Sequence, residues 1–314
     1  MMRAVTKFAR QIKVSPGFLF LLFNPLSKLP WSHRLDLWGY FRLTLNPPAP
    51  WTTQKVSGFS YVTMGGAAHI DLLIQSLRSI SLNWNGRPKL SIISDGTFDE
   101  ERHLRDLAFW GEKIEIITPD EVFSGLPQEL ATPLRELSSN QPLILKLAAI
   151  IFLSNKDTFF FADADVLWFK DPTVNGLLDS ELEGVRVTRE SGCSLNENLA
   201  KAYCPELITQ KSVNSGCIWV GTNLTNKNLL RELIEFAVQE PADVFTEQTI
   251  IGTLASSDSG FFPDEICFLE FDDAGKIRHH RPWLKGFASR HYVGPVRHHF
   301  FRDALRLCSA RLYS

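Results

Sequence analysis

The chain has 314 residues, with 33 Lys and Arg against 35 Asp and Glu, a length for one large core plus appended segments. Its net charge of -2 supplies no global field to hold nucleic acid, and 44% apolar with 22% charged residues is an ordinary soluble globular profile, rich in Phe and Trp. Five cysteines (Cys193, Cys204, Cys217, Cys267 and Cys308) form no C-x-x-C pair, which argues against a zinc knuckle or a thioredoxin-like motif and for a reducing compartment.

Residues 1–35 carry Arg3, Lys7, Arg10, Lys13, Lys28 and Arg34 and no acid. The apolar run Phe18 to Phe23 lies between Pro16-Gly17 and Asn24-Pro25, far short of the roughly 20 residues that cross a bilayer. No small-residue cleavage site follows it, so neither a signal peptide nor a transmembrane helix is expected. The expectation is a cytoplasmic protein. The basic, apolar start offers a peripheral membrane contact, but packing of this extension on the main domain is the simpler reading. A stiff Pro-rich connector, Asn46-Pro47-Pro48-Ala49-Pro50, closes it. The domain boundaries expected are an extension over residues 1–55, a main domain over 56–300 and a tail over 301–314.

Strand and helix patterns alternate from Gly58 onward. "FSYVTM" (59–64), "KLSIIS" (89–94) and "KIEIIT" (113–118) read as strands. Between them, Ile70, Leu73, Leu77 and Ile80 share one helical face, and residues 98–109 are predicted helical. "LILKLAAIIFL" (143–153) is apolar nearly all round, as a helix buried between layers is, with Lys146 its only cation. "TFFFA" (158–162) suits a central strand covered on both faces. Beyond it, "VRVTRE" (185–190) and "GCIWVG" (216–221) read as strands, and 225–239 and 245–255 as helices. The fold class predicted is α/β, with a mostly parallel central sheet flanked by helices and ligands at the carboxyl ends of its strands.

Asp163 and Asp165 follow directly on the all-apolar strand, two residues apart and so on one side if the chain stays extended. Like charges at the mouth of a buried strand repel each other, and a hard divalent cation, Mn²⁺ or Mg²⁺, relieves the repulsion. The bland alternative is a solvated polar strand end. Thr63 and Asp95, each at a strand end, are candidates for nucleotide contacts or for purely structural roles.

With these residues in place, the sequence resembles the GT-A glycosyltransferases, in particular glycosyltransferase family 8 (glycogenin-like). The stretch "LKLAAIIFLSNKDTFFFADADVLWFKDP" is similar to that family's Lys-bearing helix, strand and Asp-x-Asp. "NSGCIWVG" (214–221), "TEQTIIGTL" (246–254) and "HYVGPVRHHF" (291–300) are similar to its Asn-Ser-Gly strand, Asp-Gln helix and His-bearing ending, in the family's order. The resemblance implies that Asp163, Asp165 and His291 hold the metal and that Asp163 also touches the nucleotide. It places Lys146 over sugar and phosphate, Asn214 on the sugar, and Glu247 and Gln248 beside the transferred sugar. Gly294 would admit the diphosphate and Arg297 would grip it. Three departures stand out: Glu247 replaces Asp, Arg297 replaces Lys, and His298-His299-Phe300 replaces Pro-Trp, which makes His298 or His299 the fallback ligand.

The reaction implied is transfer of a sugar from a nucleotide-sugar, a UDP-hexose by default, to an acceptor hydroxyl with retention of configuration. The acceptor is open among a glycan, a lipid-linked glycan and a protein. One alternative is a haloacid dehalogenase-like phosphohydrolase with Asp163 as nucleophile, Asp165 as acid/base and Phe271-Asp272-Asp273 as a distant acidic motif. The other is a catalytically silent nucleotide-sugar-binding protein.

Overall fold

Apolar runs become strands here where β-branched and aromatic residues succeed one another, and helices where the apolar spacing is three to four. A computed structural model of the chain describes residues 31–45, 49–51, 55–174, 178–179, 181–189, 194–210, 213–240, 243–258, 260–269 and 286–310. The basic stretch over residues 1–30, with most of the expected membrane contact, lies outside them, as does Phe271-Asp272-Asp273. The elements begin with α1 (Trp31–Leu45), β1 (Val56–Gly65), α2 (Ile70–Asn83), β2 (Arg87–Ser94), α3 (Glu100–Asp106) and β3 (Glu115–Ile117). There follow α4 (Pro119–Gly125), α5 (Gln128–Asn140), α6 (Leu143–Leu153), β4 (Phe159–Ala162), β5 (Val166–Trp168) and β6 (Val185–Thr188). The remainder are α7 (Glu197–Tyr203), α8 (Pro205–Gln210), β7 (Asn214–Val220), α9 (Asn228–Gln239), α10 (Thr246–Ser257), β8 (Cys267–Phe268), β9 (Ser289–His291) and α11 (Phe300–Ala310).

The larger of two compact units spans Pro50–Glu270 and Pro282–His291. Its main sheet has the order β3-β2-β1-β4-β7-β6. β3, β2, β1 and β4 run parallel, while β7 is antiparallel to both β4 and β6. The expected α/β architecture, a mostly parallel sheet between helices, is what the chain forms. Alternation along each strand feeds two cores. Val62, Ile93, Phe159, Phe161, Ile218 and Val220 face α4, α5, α6 and α10. Tyr61, Ile92, Phe160, Ala162, Cys217 and Trp219 face α2 and a second cluster of tryptophans. This two-sided burial explains why β4 is apolar at every position.

A second, three-stranded sheet of order β5-β9-β8 stands at the end of the first. Sequence reading does not anticipate β5. It is held on α2, where Ser79 Oγ accepts from the Trp168 amide at 2.8 Å and Asn83 Nδ2 donates to the Trp168 carbonyl at 2.9 Å. Helices α4 and α5 are likewise unexpected, although Thr118-Pro119-Asp120-Glu121 carries the signal. Thr118 caps α4 through a capping box with Glu121, and Pro119 occupies the first turn. Strand β3 therefore stops at Ile117, short of the expected Thr118.

In the smaller unit, α1 packs on α11, and Asp36 Oδ1 accepts from the Phe301 and Arg302 amides at 2.7 and 3.1 Å. Burial drives the Asp36 carboxyl well above its usual range, against the pull of those two amides. Part of the expected extension and most of the expected tail thus build one helical unit, because helices far apart in sequence supply each other's apolar face. No disulfide joins Cys204, Cys217, Cys267 or Cys308. Among the described residues no helix is long and apolar enough to cross a membrane.

Phe160 is fully buried at the centre, 5.4 Å from Trp168 and 6.2 Å from Tyr61 between ring centroids. Phe160→Ala is expected to lower the unfolding free energy by about 3–5 kcal/mol, read from urea denaturation followed by tryptophan fluorescence.

Candidate active site

The carboxyl ends of β1, β2 and β4 lie at one edge of the parallel array, and β7, running the other way, begins there. The register pairs Ala162 with Cys217, and one step further the Asp163 amide donates to the Gly216 carbonyl at 2.9 Å. The chain then turns, with the Val166 amide donating to the Asp163 carbonyl at 3.2 Å. The chain turns at Asp163-Ala164-Asp165 because β5 leaves the main sheet for the second one, and the two acids come to one side through that turn and not through an extended strand. β5 pairs with β9 so that Val166 faces His291. Both carboxylates consequently meet the imidazole: His291 Nε2 lies 3.0 Å from Asp165 Oδ1 and 3.6 Å from Asp163 Oδ2.

One ligand atom from each of Asp163, Asp165 and His291 falls within 4.8 Å of the others. Adjacent ligands about 2.1 Å from an octahedral cation stand roughly 3 Å apart, and two carboxylate oxygens with one imidazole nitrogen suit Mn²⁺ or Mg²⁺. The donor set fits. His291 belongs to this cluster, while His298 and His299 lie on the 3-10 turn Gly294–His299 of the smaller unit, with their rings 3.9 Å apart. Burial alone would lower the pKa of His291, but Asp165 and then Asp163 more than reverse it, and the ring titrates at about 9. A hydrogen bond from Cys217, and further the charge of His291, draw the buried Cys267 thiol below its usual range.

Lys146 is the second centre. Its ammonium, 2% exposed, donates to the Ser215 carbonyl at 2.7 Å and pairs with Asp163 Oδ1 at 3.2 Å and Glu247 Oε1 at 3.5 Å. Burial would lower its pKa, yet Asp163 and Glu247 outweigh that and raise it. The Glu247 carboxyl is raised by burial, the pull of Lys146 only partly offsetting it. Ser215 is the hub that sequence reading passed over: its hydroxyl donates to Glu247 Oε2 at 2.9 Å and its amide to Gln248 Oε1 at 3.1 Å. The Gln248 amide group also donates to the Ser194 carbonyl at 2.6 Å, so it bridges two backbone segments. The position of Ser215 between Asn214 and Gly216 was the available signal.

Asn214 joins the cluster through His291 Nδ1, 3.0 Å from its Oδ1. Thr63, in β1, is 1% exposed, and its hydroxyl has no hydrogen-bond partner among the described residues. Asp95 sits just past β2, where its Oδ1 accepts from the Thr97 amide and hydroxyl at 2.8 and 2.6 Å, and the Gly66 Cα faces its carboxylate so closely that a Cβ would collide. Gly294 and Arg297 belong to the smaller unit; both are exposed, and Gly294 takes φ +48, a left-handed conformation that glycine tolerates. Of the acids in the cluster, Asp163 is open to solvent, its side chain 31% exposed against 6% for Asp165 and 1% for Glu247.

No protein family matches this sequence as a whole or in part. No curated protein matches it either. Solved structures do. The galactosyltransferase LgtC, determined with donor and acceptor sugar analogues, superposes with a TM-score of 0.51 at 15% identity, over 80% of this chain and 96% of LgtC. The bifunctional glycosyltransferase WbbM superposes with a TM-score of 0.51 at 13% identity, over 82% of this chain and 50% of WbbM. The chain has the GT-A fold.

Because the imidazole holds its proton up to about pH 9, a cation must expel that proton to bind. Affinity for Mg²⁺ is expected to rise by roughly tenfold per pH unit from pH 6.5 towards 9 and to level off above it. Calorimetric titration in buffers of different ionisation enthalpy would read the released proton.

Proposed function

We propose that this protein is a metal-dependent glycosyltransferase that moves a sugar from a nucleotide-sugar to an acceptor hydroxyl. The observation that carries the reading is the convergence of Asp163, Asp165 and His291 beside the buried Lys146–Glu247 pair at the carboxyl ends of the parallel strands. The likeness in fold to glycosyltransferases of low identity supports the same class, and the motif resemblance to glycosyltransferase family 8 supports a UDP-hexose donor.

Asp163, Asp165 and His291 would hold Mn²⁺ or Mg²⁺, which when bound neutralises the diphosphate and its growing charge as the sugar–phosphate bond breaks. Asp163, the solvent-open member, faces the entering donor. Lys146 contributes a fixed positive charge whose place is set by Ser215, Asp163 and Glu247, so no reorganisation is needed as the leaving group forms. Thr63 and Asp95, at the ends of neighbouring strands, are assigned to the nucleoside. Glu247 is assigned to the transferred-sugar side through the Lys146 it neutralises, and Gln248 positions Ser215.

Retention of configuration is assigned to front-face attack. A covalent nucleophile must present a carboxylate to the anomeric carbon, and Glu247 and Asp165 are both buried and engaged. The anomeric centre becomes cation-like, and the departing phosphate oxygen guides the acceptor hydroxyl and takes its proton. Of the residues the phosphohydrolase alternative needs, Asp163 and Asp165 lie among the described ones, and the pairing of Asp165 with His291 speaks for a cation rather than for an acid/base carboxyl.

Purified protein screened against UDP-, GDP- and dTDP-sugars with Mn²⁺ should release nucleoside diphosphate from one of them, and no phosphate from a generic phosphomonoester. Asp165→Asn, nearly isosteric, is expected to cut that release by about 10²–10³ with the fold intact by circular dichroism; unchanged turnover would remove the site. An NMR time course with an accepted donor should show the anomeric configuration kept, and an inverted product would overturn the front-face assignment.

A further inference from the structure

We infer that Asn214 and Gly216 are positioning residues for His291: Asn214 fixes the ring as the Nδ1–H tautomer, and Gly216 leaves the space that lets Nε2 reach Asp163 and Asp165. The inference rests on the metal reading of this site and assigns Asn214 a role other than contact with the sugar.

The tautomer follows from one hydrogen bond. The Gly216 amide donates to the Asn214 side chain at 2.8 Å, and a peptide N–H cannot accept, so the atom it meets is the amide oxygen, Oδ1. The same oxygen lies 3.0 Å from His291 Nδ1. An amide oxygen carries no hydrogen, so the proton between them belongs to Nδ1. A neutral imidazole has one N–H, which leaves the Nε2 lone pair directed at the two carboxylates. Asn214 is 4% exposed and His291 3%, so water is poorly placed to substitute for either partner. The Asn214 backbone is itself pinned, its carbonyl accepting from Thr188 Oγ1 at 3.0 Å where the β6–β7 register shifts.

Gly216 acts through absence. A Cβ there would overlap His291 Cε1 and Nδ1 and would also press on Asn214 Oδ1, while the Gly216 carbonyl accepts from the Asp163 amide. The backbone that supports one carboxylate is thus the same backbone that makes room for the imidazole. A methyl group would push the ring off its place without removing a hydrogen-bonding group.

The experiment is Mn²⁺ binding to the full chain, read from loss of the free-ion electron paramagnetic resonance signal, with near-ultraviolet circular dichroism as the folding control. Asn214→Leu is expected to weaken Mn²⁺ binding by about 10–100-fold, and Asn214→Asp, which keeps an acceptor for both Gly216 and Nδ1, to stay within about threefold of wild type. Gly216→Ala is expected to lose as much as the leucine variant. Should Asn214→Leu not fold, Asn214→Ala takes its place in the comparison. Wild-type affinity in the folded leucine or alanine variant would overturn the inference while leaving the metal site standing. Equal losses in the aspartate and leucine variants would also overturn it. No Mn²⁺ binding by the wild type would overturn the metal site and the inference together.

Discussion

A buried ammonium group must be neutralised where it stands, and Lys146 meets that condition by tying four elements together. Its donors reach Asp163 at the end of β4, Ser215 at the start of β7 and Glu247 in the first turn of α10, and the ammonium, carried by α6, stands over the Phe161 ring, 4.8 Å from its centroid. Removing one partner from such a group leaves a charge stranded in low dielectric, which costs several kcal/mol by the usual order of magnitude. The ends of these elements are therefore held in one arrangement, and the site on the solvent side inherits that rigidity.

Asp163 links this centre to the second. One of its oxygens faces Lys146 and the other faces His291, so one carboxylate serves both groups. In the proposed function a proton and a divalent metal would compete for the same place. The protonated imidazole is a cation paired to two acids, and a bound metal would require it as a neutral ligand. Such an arrangement would serve the proposed transfer, in which negative charge arrives with a diphosphate and grows as the sugar leaves.

Two sheets meet at the acidic turn, and each brings what the other lacks. The main sheet contributes Asp163 and, through its one antiparallel strand, the Asn214-Ser215-Gly216 segment. The small sheet contributes Asp165, next to β5, and His291 on β9. Were β7 parallel to β4, Asn214 would fall at the opposite edge, and neither Lys146 nor His291 would find its present partners.

Local chemistry is written in the chain wherever a residue and its neighbours settle the matter between them. The all-Phe strand, the apolar helix with its single Lys, the acidic pair and the parallel architecture were legible in this way, because burial on both faces and strand–helix alternation leave periodic marks. The Thr118 capping box was equally local, and legible though unread. Partnership is not local. That Val166 pairs with His291, that Ser215 is the hub and Asn214 the partner of an imidazole 77 positions away, all depend on strands meeting across the fold. Hydrogen bonds of that span leave no period in a sequence, since they are chosen by strand direction and register, and those are decided only when the sheets assemble.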